Sequence, residues 1–135
     1  MIFTLDVATA DKAELKDVTK ELAVAANRSG IKNGVLIAFV PHTTAGITIN
    51  ENADPTVRED ILASLERMVP WRQPFYQHAE GNSAAHVKAA LMGAGVQIAL
   101  SQGRLVLGTW QGVFFCEFDG PRQRKLHVTI LEAVR

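Results

Sequence analysis

The chain has a single cysteine, Cys116, in 135 residues, so it can form no internal disulfide. That suits a reducing compartment. No apolar run approaches the roughly 18 to 20 residues needed to span a bilayer. The first ten residues contain Asp6 and no basic stretch, so they do not read as a secretory signal. The expected location is the cytoplasm. Neither charge is in excess, with 14 basic residues against 14 acidic ones. A net charge near zero exerts no long-range pull on DNA, RNA or an anionic membrane. No nucleic-acid or membrane partner is therefore expected, and the expected ligand is a small molecule. The chain also lacks a Gly-rich phosphate loop, a paired-cysteine motif, a His-Glu-x-x-His sequence and a serine–histidine elbow.

What is present is an apolar fraction of 47%, enough for a real core. The length fits one domain over residues 1–135, without repeats or linkers. Residues 1–7 read as a strand. Asp11 and Glu14 look like a capping box. Leu15, Val18, Leu22 and Ala26 then recur at helical spacing up to Gly30. Residues 35–40 form a continuous apolar strand, expected to be covered on both faces. In the next strand Ala45, Ile47 and Ile49 alternate with Thr44, Thr48 and Asn50. Asp54-Pro55 starts a helix whose buried stripe is Val57, Ile61, Leu65 and Met68. After a loop over 70–77, Asn82 or Ser83 caps a third helix, buried through Val87 and Leu91 and stopped by Gly93 and Gly95. Strands are expected over 105–107, 113–119 and 126–134. The sum is an α+β fold with mainly antiparallel strands and about three helices.

Three polar clusters interrupt these elements. The first runs from His42, Thr43 and Thr44 to Asn50, Glu51 and Asp54. It offers hydroxyls and an amide on one strand face, with acids at a helix start. The other reading is that Asn50 and Asp54 only cap and turn the chain. The second holds His78, Glu80, Asn82 and His86. Two histidines and a carboxylate suffice for a divalent ion, and His42 would make a three-histidine set. The other reading is a hydrogen-bonded pair that holds the loop to the helix. The third holds Trp110 and Gln111 between glycines, then Glu117, Asp119 and Arg122. Glu117 and Asp119 share a strand face about 7 Å apart. An acid on an apolar strand needs a partner, and Arg122 can serve one of them. Trp110 and Gln111 read as a wall for a planar ligand or as a packed bulge. Arg122, Arg124 and Lys125 read as a solvated basic turn or a phosphate contact. Cys116 reads as core and His127 as surface.

Taken together, residues 42–54, 76–86, 107–112 and 116–122 resemble the YjbQ family, also called secondary thiamine-phosphate synthases. The resemblance follows the chain in order over nearly its whole length. It implies a small, sandwich-like α+β fold and a homotrimer with sites near subunit boundaries, the three clusters forming one pocket. It also implies the joining of hydroxymethylpyrimidine diphosphate to thiazole phosphate with release of pyrophosphate. On that reading Glu80, Asn50, Glu51 and Asp119 are catalytic. Thr43, Thr44, Asn82, Trp110, Gln111 and Arg122 bind substrate. His42, His78 and His86 hold a metal, zinc by ligand type or magnesium for a diphosphate substrate. Two alternatives stand beside it. One is a metal-dependent hydrolase or lyase acting on a small phosphorylated molecule. The other is a non-enzymatic module that binds a small ligand or metal.

Overall fold

The computed structural model describes residues 1–134; Arg135, the last residue of the expected domain, lies outside them. Strands β1 (Ile2–Ala8) and β2 (Glu14–Asp17) are followed by helix α1 (Thr19–Ser29). Then come β3 (Gly34–Phe39), β4 (Ala45–Glu51), α2 (Pro55–Met68) and α3 (Ser83–Met92). Strands β5 (Gly95–Ser101), β6 (Arg104–Leu105), β7 (Gln111–Glu117) and β8 (Gln123–Glu132) complete the chain. Five strands form one sheet in the order β1-β8-β3-β5-β6, and three form another in the order β2-β7-β4. Every strand pairing among the described residues is antiparallel. The expected α+β class with three helices is what the structure shows.

The two sheets face each other across the larger core. Leu36 and Ala38 of β3, Leu126, Val128 and Ile130 of β8, and Ile47, Val113 and Phe115 of the small sheet meet there with Leu22 of α1. The other face of the small sheet presents Leu15, Phe114, Cys116 and Phe118 to α2 and α3. Strand β7 is thus buried on both faces, as its unbroken Val113–Cys116 apolar run requires. Asp54 caps α2 by accepting from the Thr56 backbone N–H at 3.0 Å, and Pro55 supplies the fixed φ of a first helical residue. Gly30 closes α1 in the left-handed conformation.

Several expectations are corrected. The first helix begins at Thr19, because residues 14–17 pair with β7 instead of winding. Glu14 Oε1 still accepts from the Ala10 and Asp11 N–H groups, but as a loop clasp, not a helix cap. Strand β5 was not foreseen; its alternation puts Ile98 and Leu100 inward, with Val96 partly buried beside them. Strand β3 is covered on one face only, with Phe39 49% exposed. Helix α3 buries Ala84, Ala85, Lys88 and Ala89 and leaves Val87 and Leu91 exposed. The small side chains let α3 lie close on β4, where Gly46 has no room for a Cβ: it would stand 2.7 Å from the Gly93 carbonyl oxygen. Buried Lys88 donates to Glu66 Oε2 at 2.5 Å and ties α3 to α2. In α2 itself Ile61 and Leu65 are half-buried and Met68 is exposed.

Candidate functional site

At one end of the small sheet the β3–β4 loop, the loop before α3 and the β7–β8 turn surround a cavity of about 500 Å³. His42, Thr43 and Thr44 form one wall, His78, Glu80, Asn82 and His86 a second, and Asp119, Arg122 and Arg124 the floor and third wall. The second polar cluster therefore meets part of the first and part of the third.

The floor is built on a buried ion pair. Glu117 is fully buried and Arg124 is 5% exposed. Arg124 Nε donates to Glu117 Oε1 at 2.9 Å and Nη2 to Oε2 at 2.5 Å. Arg124 Nη2 also donates to Thr44 Oγ1 at 2.8 Å. The Thr9 hydroxyl and the Phe118 and Asp119 N–H groups complete the shell of Glu117. Burial works to raise the Glu117 pKa, but Arg124, Thr9 and the Asp119 N–H outweigh it and hold the carboxyl below its usual range. Sequence reasoning placed Glu117 in the third cluster and read Arg124 as a solvated turn residue or a phosphate contact, but did not pair the two. The signal was present in β8, where Arg124 shares its parity with inward-facing Leu126, Val128 and Ile130.

Arg122 pairs with Asp119, not Glu117: its Nη2 donates to Asp119 Oδ2 at 3.2 Å and its Nε to the Asp119 carbonyl at 2.8 Å. Asn82 Nδ2 donates to the same Oδ2 at 3.0 Å, joining the α3 N-terminus to the β7–β8 turn. Asn82 is 7% exposed, and among the described residues no donor reaches its Oδ1. A buried acceptor without a donor is a place for a ligand N–H, an O–H or a water.

His42 accepts the Lys125 backbone N–H at Nε2, 2.9 Å away. When neutral it therefore carries its proton on Nδ1. Burial, then Arg124, lowers its pKa below the ordinary 6.5. The His78 and His86 rings meet edge to face, 5.4 Å between centroids. His78 Nε2 lies 3.9 Å from Glu80 Oε1. The three histidines line one cavity, but among the described residues no three His, Cys, Asp or Glu side chains are grouped to share an ion. His42 Nε2 is already engaged, and its Nδ1 would have to lose its proton to ligate. As arranged, the donors do not fit a shared metal ion.

Asn50, Glu51, Trp110 and Gln111 lie elsewhere. Register pairs Ala45 with Glu117 at the cavity end of β4 and β7, and Glu51 with Gln111 at the other. Seven-residue strands put about 20 Å between these ends. Within one chain, then, the four residues do not reach the histidine cavity. Asn50 Oδ1 accepts the Glu51 N–H and Gln111 Oε1 the Gly108 N–H, so both brace local turns. Trp110 is 64% exposed. Asp54 caps α2. Cys116 is buried, its thiol pushed up to about 12 by burial. Half-exposed His127 meets Thr4 Oγ1 at 3.2 Å. Among the described residues, no helix is long and apolar enough to cross a membrane.

Fold and cavity together define a two-sheet α+β protein with a charged, histidine-lined cleft at one strand end. The chain belongs to the family described as UPF0047 protein YjbQ-like, which it matches over residues 3–133. It is 45% identical over 131 residues to the UPF0047 protein YugU of Bacillus subtilis, covering 97% of this chain and 99% of that one. It is 47% identical over 131 residues to a UPF0047 protein of Methanocaldococcus jannaschii, covering 97% and 94%. The crystal structure of a YjbQ/UPF0047 family protein from Clostridium acetobutylicum superposes with a TM-score of 0.93 at 49% identity, covering 96% of this chain and 99% of that one. A YbjQ-like protein from Sulfolobus solfataricus gives 0.93 at 36% identity, covering 98% and 97%.

Proposed function

We propose that the cavity binds a phosphorylated small molecule and that the chain is a transferase of the thiamine-phosphate synthase type. The observation that carries this reading is the meeting of Arg122 and Arg124 with three histidines in one cleft. The reaction breaks the bond between the pyrimidine methylene carbon and the diphosphate oxygen. A bond forms from the thiazole nitrogen to that carbon, and pyrophosphate leaves. Arg122 and the Nδ1–H of His42 stabilise the charge that grows on the leaving oxygens. Glu80 and the Oδ1 of Asn82 accept hydrogen bonds from donors of the bound substrate. Arg124, itself anchored by Glu117, holds the Thr44 hydroxyl directly and acts by positioning.

Incubating purified protein with both substrates and Mg²⁺ tests this reading. Thiamine phosphate and pyrophosphate are expected in equal amounts. His78→Ala and Glu80→Ala are each expected to reduce turnover about 100-fold, the usual scale for a positioned polar group. No product, or turnover unchanged in both variants, would count against the assignment. A metal-dependent hydrolase or lyase is the second reading, favoured by the placement of all three histidines on one cleft. It requires their rings to turn toward a common ion. Elemental analysis of untagged protein decides it: no transition metal, and no rescue by one, ends it.

Our reading of the assembly is the homotrimer, in the cytoplasm. The outer face of the five-stranded sheet supports it, because no element among the described residues covers Ile37, Phe39 and Leu131 there. A neighbouring copy also offers a route by which Trp110 and Glu51 approach a histidine cleft.

A further inference from the structure

A second cavity, of about 390 Å³, adjoins the first. Trp71, Tyr76, Gln73 and Arg72 line it, and it shares His78 with the histidine–arginine cleft. Trp71 is half-buried, packed against the smaller core by part of its surface. The Lys12 ammonium lies 3.5 Å from the centre of its ring. The Lys12 ammonium, not a layer of apolar side chains, therefore covers that face. A cation–π contact at an exposed site is weak, so a flat ring can displace it. Lys12 is in turn anchored beside the first cavity, since its carbonyl accepts the Gly120 N–H at 2.9 Å. Gln73 offers both a donor and an acceptor, and the Tyr76 ring adds an aromatic wall.

We propose that this second cavity is a subsite for a planar heteroaromatic ring, and that the same ligand places its anionic group in the histidine–arginine cleft. His78 stands at the junction and contacts both parts. This deepens the functional reading above and rests on it for the anion. It moves ring recognition from Trp110, which lies at the far end of β7, to Trp71. Stacking on Trp71 releases the Lys12 ammonium, which then lies within the reach of one side chain from the Asp119–Arg122 turn.

The chain has two tryptophans, so Trp110→Phe leaves Trp71 as the sole indole emitter. Three probes are titrated into this variant, with calorimetry in parallel: hydroxymethylpyrimidine, its monophosphate and inorganic pyrophosphate. Both pyrimidines are expected to quench Trp71, and pyrophosphate is not. Trp71→Leu is expected to weaken the pyrimidine monophosphate at least tenfold and to leave pyrophosphate within twofold. Trp71→Phe should retain most of the affinity. Gln73→Ala, on the wall and off the core, repeats the test should Trp71→Leu fail to fold. If pyrophosphate binds while the pyrimidines neither quench Trp71 nor respond to Trp71 and Gln73 substitution, the ring subsite is wrong and the anion reading stands. If hydroxymethylpyrimidine quenches Trp71 but pyrophosphate does not bind, the anion reading falls and the ring subsite stands. If none of the three binds, both fall.

Discussion

Glu117 and Arg124 illustrate how much one pair of residues controls. Removing one partner of a buried pair strands the other charge, typically at a cost of about 3 to 5 kcal/mol. Arg124→Met is therefore expected to lower unfolding stability on that scale in denaturant titrations, while joint replacement of Glu117 and Arg124 by Met recovers much of the loss. The rescued double variant should still lose ligand affinity, because Thr44 is no longer held. Glu117 also sets a pH dependence. Its folded pKa lies below the unfolded one, so its stabilisation is complete above the ordinary glutamate range and is lost as pH falls through the folded value. A Glu117→Gln chain should show a flatter acid limb in unfolding measured against pH. His42 works in the same direction nearer neutrality. Its lowered pKa means that, below about 6.5, the unfolded chain takes up a proton that the folded one refuses. Stability should fall across that window, and ring NMR of His42 should show the Nδ1–H tautomer at pH 7.

Helix ends and strand registers place these residues. Gly46→Ala puts a Cβ 2.7 Å from the Gly93 carbonyl oxygen and forces α3 off β4. The expected loss is on the order of 1 to 3 kcal/mol. Ligand affinity should fall with it, because Asn82 and His86 ride on α3. Asp54→Ala should lower the melting midpoint without changing ligand affinity, and Asp54→Asn should retain most of it, because the residue acts only on the α2 terminus. Elements with local punctuation were legible in the sequence: the Asp54-Pro55 start, the Gly30 stop, the alternation around Ile47 and the start of α3 at Asn82, whose side chain bonds Asp119 instead of capping the helix. Elements decided by distant partners were not. Residues 14–17 fit a helical period, and only pairing with β7, about 100 positions away in the chain, makes them a strand. Val87 and Leu91 looked like a core stripe because hydrophobicity says nothing about how closely a helix must sit on Gly46. For the cleft, the histidines, Asn82 and Asp119 were readable. The separation of Trp110 from them was not, because it depends on the register of β4 against β7.

At the scale of the whole molecule, the uncovered sheet face is the feature to test. Sedimentation equilibrium is expected to give about three times the 14.7 kDa chain mass. Phe39→Asp, with its side chain on that face, should shift the population to monomer; a wild-type monomer would refute the trimer. Strand order carries a further consequence for biogenesis. Strand β8 sits between β1 and β3 in the large sheet, yet it is made after both. While a ribosome is still extending the chain, β1 has no neighbour and β3 exposes an edge that invites pairing with other nascent chains. The same late strand delivers Arg124. Until it arrives, Glu117 is an unpaired carboxylate between the sheets and resists their closure. The chain thus has little to gain from collapsing early, and the cleft can form only in a molecule whose last strand is already in place.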